Sequence, residues 1–332
     1  MPNLYVTEPG ARLETEAGQL LVTKHGELLL AVPAARVDEV VLVGHAGVTT
    51  PALGLLLDRG IGLVLLTTGG RFRGRLVANR AVPVDLRRAQ YRRAEDPAFC
   101  LALSRAIAAG KIRNARTLLL RLDETNTDPP TLAAVREMAA LEDALPAAET
   151  LAAIMGIEGR AARRTFAVLG RALRPPWVLP RRARRPPPDP VNALLSLLYT
   201  LLHESCYAAV EAVGLDPYCG YLHQPRAGRA ALALDLMEEF RPVIADSVML
   251  TLLNKRILSP DDFEPGDPAD GVRLTREGWR HVATQYTKRL QTRIRPPGLA
   301  RQTTYQKLLE IQARGLKRAI VEDVPYVPFR AK

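Results

Sequence analysis

The sequence predicts an α+β protein, with a β-rich N-terminal domain over residues 1–84 followed by a larger all-α domain over 85–332. Three observations carry that expectation. The first 80 residues break into short runs rich in Val, Leu and Thr, punctuated by Gly and Pro. From about residue 85 the pattern turns helical. The charge changes at the same place. Residues 1–85 hold eight Lys/Arg and eight Asp/Glu, so the whole net charge of +11 lies beyond them.

The strand candidates are LYVTE, ARLETEAG, QLLVTKHG, ELLLAVP and VDEVVLVG. TPALGLLLDRG (50–60) reads as a short helix, and GLVLLTTGGRFRGRLV returns to strand with Gly69-Gly70 as a hairpin turn. Asp85 is placed to cap a helix through LRRAQYRRA, and Asp96-Pro97 to start one through FCLALSRAIAAGKIRNARTLLLRL. TDPP (127–130) breaks the chain, and two further helices follow it. RPPWVLPRRARRPPPDP (174–190) cannot be helix and reads as a connector or a clamp on a sugar-phosphate backbone. Residues 190–213 form a helix apolar nearly all round, hence central to the core. LSPDDFEPGDPADG (258–271) reads as a solvated acidic loop without calcium-hand spacing. KRLQTRIRPPGLARQTTYQK (288–307) is a basic segment suited to DNA, a partner or solvent.

The bulk numbers narrow the function classes. At 332 residues, 47% hydrophobic and 24% charged, the chain is an ordinary globular protein with room for two domains. No apolar run suits a membrane span and MPNLYVTEPG has no signal-peptide character, so a cytoplasmic protein is expected. Cys100, Cys206 and Cys219 have no metal-motif spacing and are expected to stay reduced. Residues 158–185 carry nine arginines and one acid. An excess this local points to a polyanion such as nucleic acid, or to a basic solvated face.

The chemistry-bearing residues lie in two places. In GRAALALDLMEEFRP, Asp235, Glu238 and Glu239 stand at i, i+3 and i+4 on a greasy helix. They either face water, meet arginines such as Arg229 and Arg241, or hold a cation. His223 sits just upstream, on a loop that Pro225, Ala227 and Gly228 can fold back towards that helix. In MGIEGRAARRTF, Glu158 stands near a helix start, where the dipole suits it, or acts as a third ligand. Arg160, Arg163 and Arg164 follow on the next turn, in reach of phosphate. Carboxylates with one imidazole suit Mg2+ or Mn2+, with Zn2+ harder to exclude. Arg73 and Arg75 alternate on a strand, and Tyr199, His203 and Glu204 read as packing.

Together with RRARRPPPDPVNALLSLLYTLLHE, EAVGLDPYCGYLH, GVRLTREGWR and KIRNARTLLLR, these stretches closely resemble the CRISPR-associated integrase family of spacer acquisition, metal-dependent DNA endonuclease/integrases. The resemblance covers essentially the full chain. It implies Glu158, His223 and Glu238 as catalytic metal ligands, selecting Glu238 where helical geometry permits Glu239 equally. It implies outer support from Asp235, with Asn192 a further candidate near the ligands. DNA contacts are expected from Arg160, Arg163, Arg164, Arg229 and Arg241. Further implied are a homodimer through the β-rich domain and a small ferredoxin-like partner subunit. The implied substrates are a short DNA duplex, the prespacer, and the CRISPR repeat, joined by 3′-hydroxyl transesterification without ATP; no membrane is involved. No further domain is expected at either end. Two other duties fit the same residues, a branched-DNA repair nuclease and a non-catalytic nucleic-acid scaffold.

Overall fold

A computed structural model describes residues 3–78, 83–123, 127–183, 186–266, 271–299 and 301–331. In chain order the strand-rich region holds β1 (Leu4–Val6), β2 (Arg12–Glu16), β3 (Gln19–Lys24), β4 (Glu27–Pro33), β5 (Glu39–Val43), β6 (Gly47–Val48), α1 (Thr50–Asp58), β7 (Gly62–Leu66) and β8 (Phe72–Leu76). The helical region follows with α2 (Val84–Ala94), α3 (Pro97–Leu122), α4 (Pro129–Ala144), α5 (Leu151–Ala172), α6 (Pro190–Ala212), α7 (Ala231–Glu238) and α8 (Ser247–Asn254). The chain ends with β9 (Phe263–Pro265), β10 (Val272–Leu274), α9 (Arg276–Leu290), β11 (Arg293–Ile294), β12 (Thr303–Thr304) and α10 (Tyr305–Glu322).

The chain divides into two compact units that are discontinuous in sequence. One comprises Met1–Ala81, Ala183–Thr200 and Arg256–Lys288; the other comprises Val82–Arg182, Leu201–Lys255 and Arg289–Lys332. The first segment of the strand-rich unit ends at Ala81. Two later segments nevertheless belong with the strand-rich unit, which the composition of either segment does not announce.

In the strand-rich unit, one sheet runs β1-β5-β7-β8 and the other β4-β3-β2-β6. β1, β5 and β7 are parallel, and β8 returns antiparallel. β5 is buried along its whole length, as a central parallel strand should be. Both sheets and α1 share one core, including Leu4, Leu13, Leu20, Leu42, Leu56 and Leu63. The β7–β8 turn needs Gly70, whose φ is +79°. A β-carbon there would stand 2.7 Å from Leu197. The adjoining turn residue Thr68 accepts a hydrogen bond from the Trp279 indole at 2.8 Å through its carbonyl, tying α9 to the turn. The expected acidic loop is partly structured. Ser259 and Asp262 form a capping box, and β9 pairs with β10; residues 267–270 lie outside the described residues.

In the helical unit, α3 is the spine. Asp96 caps it, accepting from the Ala98 and Phe99 N–H groups at 3.0 and 3.2 Å, and Pro97 opens its first turn. Asp85 does not cap α2: it lies inside the first turn, where its charge suits the dipole, and Pro83 occupies the cap position. Asp128 and Thr150 cap α4 and α5. The 174–190 stretch is irregular as expected; residues 184 and 185 lie outside the described residues. Within the 288–307 segment, β11 pairs antiparallel with β12, while residue 300 lies outside the described residues. By length and composition α6 passes for a membrane span, but 67% of its apolar window is buried, as in a core helix.

Candidate active site

The acidic helix is buried rather than solvated. Asp235, Glu238 and Glu239 are 0%, 3% and 1% exposed, which removes the water-facing alternative. Each finds a different set of partners, because burying a carboxylate without any is prohibitive.

Asp235 faces the loop that carries His223. Its Oδ2 accepts from the Tyr221 and Leu222 N–H groups at 2.7 and 3.1 Å. Its Oδ1 accepts from the His223 N–H at 2.9 Å and contacts His223 Nδ1 at 2.7 Å. The loop reaches the helix because residue 220 is glycine. A β-carbon there would meet Ala231 Cβ at 2.6 Å and its carbonyl carbon at 2.7 Å. The chain then reverses between Arg226 and Arg229, which form an isolated antiparallel bridge, with Gly228 left-handed at φ +70°. The Pro217 carbonyl accepts the Leu232 N–H at 2.9 Å, giving the uncapped start of α7 a partner. A carboxylate at Nδ1 makes that nitrogen the donor and leaves the Nε2 lone pair outward, an arrangement typical of metal-ligating histidine. Nε2 points towards Glu238, 3.7 Å from Oε1.

Glu238 ends α7. The chain behind it widens into a π-helical turn, Arg241–Asp246, where Pro242 has no N–H to offer the Glu238 carbonyl. That turn brings Arg241 against Glu238 Oε1, with Nε at 3.1 Å and Nη2 at 3.0 Å. Burial works against ionisation of Glu238, but the Arg241 guanidinium, the Lys111 ammonium and His223 outweigh it. They hold the carboxyl far below the ordinary range. Glu238 Oε2 is buried and has no well-directed hydrogen bond, although Lys111 Nζ stands 2.5 Å away. The same ammonium contacts Glu158 Oε1. Glu158 is not at a helix start: it is two turns into α5, half-buried, so the dipole does not explain it.

Glu239 takes no part in this cluster. Its carboxylate accepts from the Tyr326 hydroxyl, the Phe329 N–H and, at 3.1 Å, the Gln312 amide. Burial pushes its carboxyl up to about 7, against those three hydrogen bonds. The two adjacent glutamates, which spacing does not tell apart, thus have different surroundings. Glu238 faces Glu158 and His223, and Glu239 anchors the C-terminal tail.

Among the described residues, no three His, Cys, Asp or Glu side chains are grouped closely enough to hold a metal ion, and Lys111 contacts both Glu158 and Glu238. The donors nevertheless fit a hard divalent cation. Two carboxylates, an imidazole with an outward lone pair and an unsatisfied buried oxygen suit Mg2+ or Mn2+.

The other expected residues fare unevenly. Arg160 and Arg163 are exposed on α5. Arg164 is exposed and pairs with Glu137 at 2.6 Å. Arg229 is half-buried. Arg241 is 8% exposed and clasps Glu238. The Asn192 side chain donates to Asp189 at 2.7 Å and accepts from the Ala183 N–H at 2.8 Å, fastening the proline-rich loop. His203 pairs with Glu204 at 2.8 Å on α6.

Lys111 is the one residue at this cluster that is absent from the sequence-predicted set. The signal was present. Ser104, Ile107, Ala108, Asn114, Ala115 and Leu118, at ±3, ±4 and ±7, are all buried on α3, so Lys111 lies on an inward face.

A sequence profile of the family described as CRISPR associated protein Cas1 matches residues 4–288. The chain belongs to the Cas1 family. A Cas1 relative from Thermus thermophilus, named a CRISPR-associated endonuclease, is 38% identical over 99% of this chain and 97% of its own length. One from Moorella thermoacetica, also named an endonuclease, is 37% identical over 98% of this chain and 97% of its own. Among solved structures, a Cas1 protein from Thermotoga maritima superposes with a TM-score of 0.83 at 20% identity, covering 97% of both chains. That likeness establishes the Cas1 fold, strand-rich first and helical after. A Cas6-RT-Cas1–Cas2 complex gives a TM-score of 0.83 at 25% identity, over 99% of this chain and 36% of that one.

Asp235→Asn tests how the Cas1 imidazole is held. Four donors converge on Asp235, and an amide offers one acceptor oxygen in place of two. The variant is expected to lose about 2 kcal/mol of stability and roughly 10- to 100-fold in Mn2+ affinity. Denaturant melts and Mn2+ titration of the full chain measure both. An affinity within twofold of the parent would remove Asp235 from the orienting role.

Proposed function

We propose that this protein is a divalent-metal-dependent DNA endonuclease and integrase of CRISPR adaptation, with Glu158, His223 and Glu238 as the ligands of Mg2+ or Mn2+. The observation that carries the reading is the convergence of Glu158 and Glu238 on one ammonium, with His223 Nε2 turned towards Glu238. When bound, the ion supplies positive charge to phosphoryl oxygens and acidifies an attacking hydroxyl. Asp235 fixes the imidazole, and Arg241 fixes Glu238. Arg160 and Arg163, exposed on the helix that carries Glu158, are positioned to take the phosphates on either side of the reacting one. The 3′-hydroxyl of a short duplex attacks a phosphodiester at the repeat border. One P–O bond forms as another breaks, the displaced strand leaves with its own 3′-hydroxyl, and no ATP is needed.

The partners follow the same line. The relatives named as endonucleases support nuclease chemistry, and the Cas1–Cas2 assembly supports a protein partner, which we take to be a small ferredoxin-like subunit. A homodimer through the strand-rich unit is supported by β4. It is an edge strand with Leu28, Leu29 and Leu30 at 55%, 46% and 45% exposure, and a long apolar edge tends to pair unless covered. The protein alone should therefore sediment as a dimer.

The deciding experiment mixes the protein and its small partner with duplex DNA bearing free 3′-hydroxyls, a repeat-bearing plasmid and Mg2+. Covalently joined DNA that disappears with chelator is expected. Cutting without joining or repeat preference would favour a branched-DNA repair nuclease. Binding alone would leave a scaffold.

A further inference from the structure

We propose that Lys111 is a built-in counter-cation which a divalent ion must displace, so that it sets the metal affinity of the site. The proposal rests on the metal reading above and concerns what that reading does not use. Lys111 lies on the inward face of α3, flanked one turn either way by Ile107, Ala108, Asn114 and Ala115, all buried. Lysine is rare in such a place unless paired. Here it is paired twice, contacting Glu158 Oε1 and standing 2.5 Å from Glu238 Oε2. Its side chain is 16% exposed, so little water shares the neutralisation.

The geometry makes ammonium and metal alternatives. Both glutamates would turn towards the ion, and Glu238 Oε2, 2.5 Å from Lys111 Nζ, is an oxygen that has no well-directed hydrogen bond. A unit positive charge held between the same carboxylates would face a double charge in the low-dielectric interior, so the two cannot stay together. The lysine stem has four rotatable carbons and its ammonium needs no fixed orientation, so it can withdraw. Arg241 is different. It grips the opposite Glu238 oxygen through two nitrogens and need not leave. Lys111 thus keeps two repelling acids together in the metal-free protein, and that same attraction opposes metal entry.

The test uses the full chain without DNA at fixed pH, reading free Mn2+ by electron paramagnetic resonance. Wild type should bind Mn2+ and Glu158→Ala should bind it much more weakly. Lys111→Gln should bind it at least about tenfold more tightly than wild type, since a competing charge is gone. Lys111→Arg, which keeps the charge, should not tighten it. If wild type takes up no Mn2+, or Glu158→Ala retains full affinity, the metal reading itself fails. If wild type binds through Glu158 but Lys111→Gln is unchanged or weaker, or Lys111→Arg tightens equally, the Lys111 proposal alone falls. A second measurement needs no variant at this position to fold. In wild type with 15N-labelled lysine side chains, the slowly exchanging ammonium signal of Lys111 should vanish on adding Mg2+. Its persistence at saturating Mg2+ would overturn displacement.

Discussion

Glu158→Ala is expected to leave DNA binding intact while strand joining falls at least about a hundredfold. The reason lies in how loosely the fold depends on Glu158. It is half-buried on the middle of α5, where it pairs with Lys111. Without it Lys111 keeps Glu238, so no buried ammonium is abandoned. Alanine is also a better helix former. Stability should change by no more than about 1 kcal/mol. Duplex affinity depends on phosphate neutralisation by arginines, and removing an acid does not subtract from it. Filter binding across a salt series, thermal melts and the joining assay give the three numbers. Joining at the parent rate would sink the catalytic role of Glu158, and a parallel loss of binding would make it part of the DNA surface.

Much of the fold was legible because each segment declared its own period. The strands of residues 4–43 and 62–76 and the helices from 97 onward sit where Val-rich runs, Asp-Pro and the helical period placed them. Pairing was not legible. β1 meets β5 and β5 meets β7 in parallel, across intervening chain, and nothing local in LYV or GLVLL says so. Two-residue β6 is too short to carry a period. The acidic 258–271 stretch looked like loop because its strands are only three residues long and its polar caps resemble solvated residues.

At the site, residue types were readable but directions were not. Asp235, Glu238 and Glu239 share a helical face on paper. In the structure Asp235 turns to a glycine-enabled loop, Glu238 to α3 and α5, and Glu239 to the C-terminus. Adjacent residues on a helix point about 100° apart, so the last two meet different neighbours, and spacing alone does not say which. The bonds of Asn192 to Asp189 and of Arg241 to Glu238 were equally out of reach, since a polar residue near a motif does not announce its partner.

Glu239→Ala should cost about 2–4 kcal/mol and release the C-terminal tail, although the residue adjoins Glu238 and has the same chemistry. Its carboxylate takes the Tyr326 hydroxyl and the Phe329 N–H, and both residues are buried. Alanine leaves those donors without an acceptor and a void around them, and unmet buried donors are costly. Gln312 is less affected, because it also reaches the Val327 carbonyl at 3.2 Å. Part of the loss is recovered, since burial itself penalises the Glu239 charge. The consequences spread along the tail. Phe329 stacks on Phe240 with ring centres 5.7 Å apart, and Asn114 bonds the Phe329 carbonyl and the Ala331 N–H. Pro328 sits where a β-carbon on Gly110 would be 2.7 Å away, so the tail is fitted against α3 one residue from Lys111. Denaturant melts should show the loss, and limited proteolysis should cut near residues 323–331 in the variant first. A variant as stable and as protease-resistant as the parent would mean that ring stacking and Asn114, rather than the buried carboxylate, hold the tail against α3.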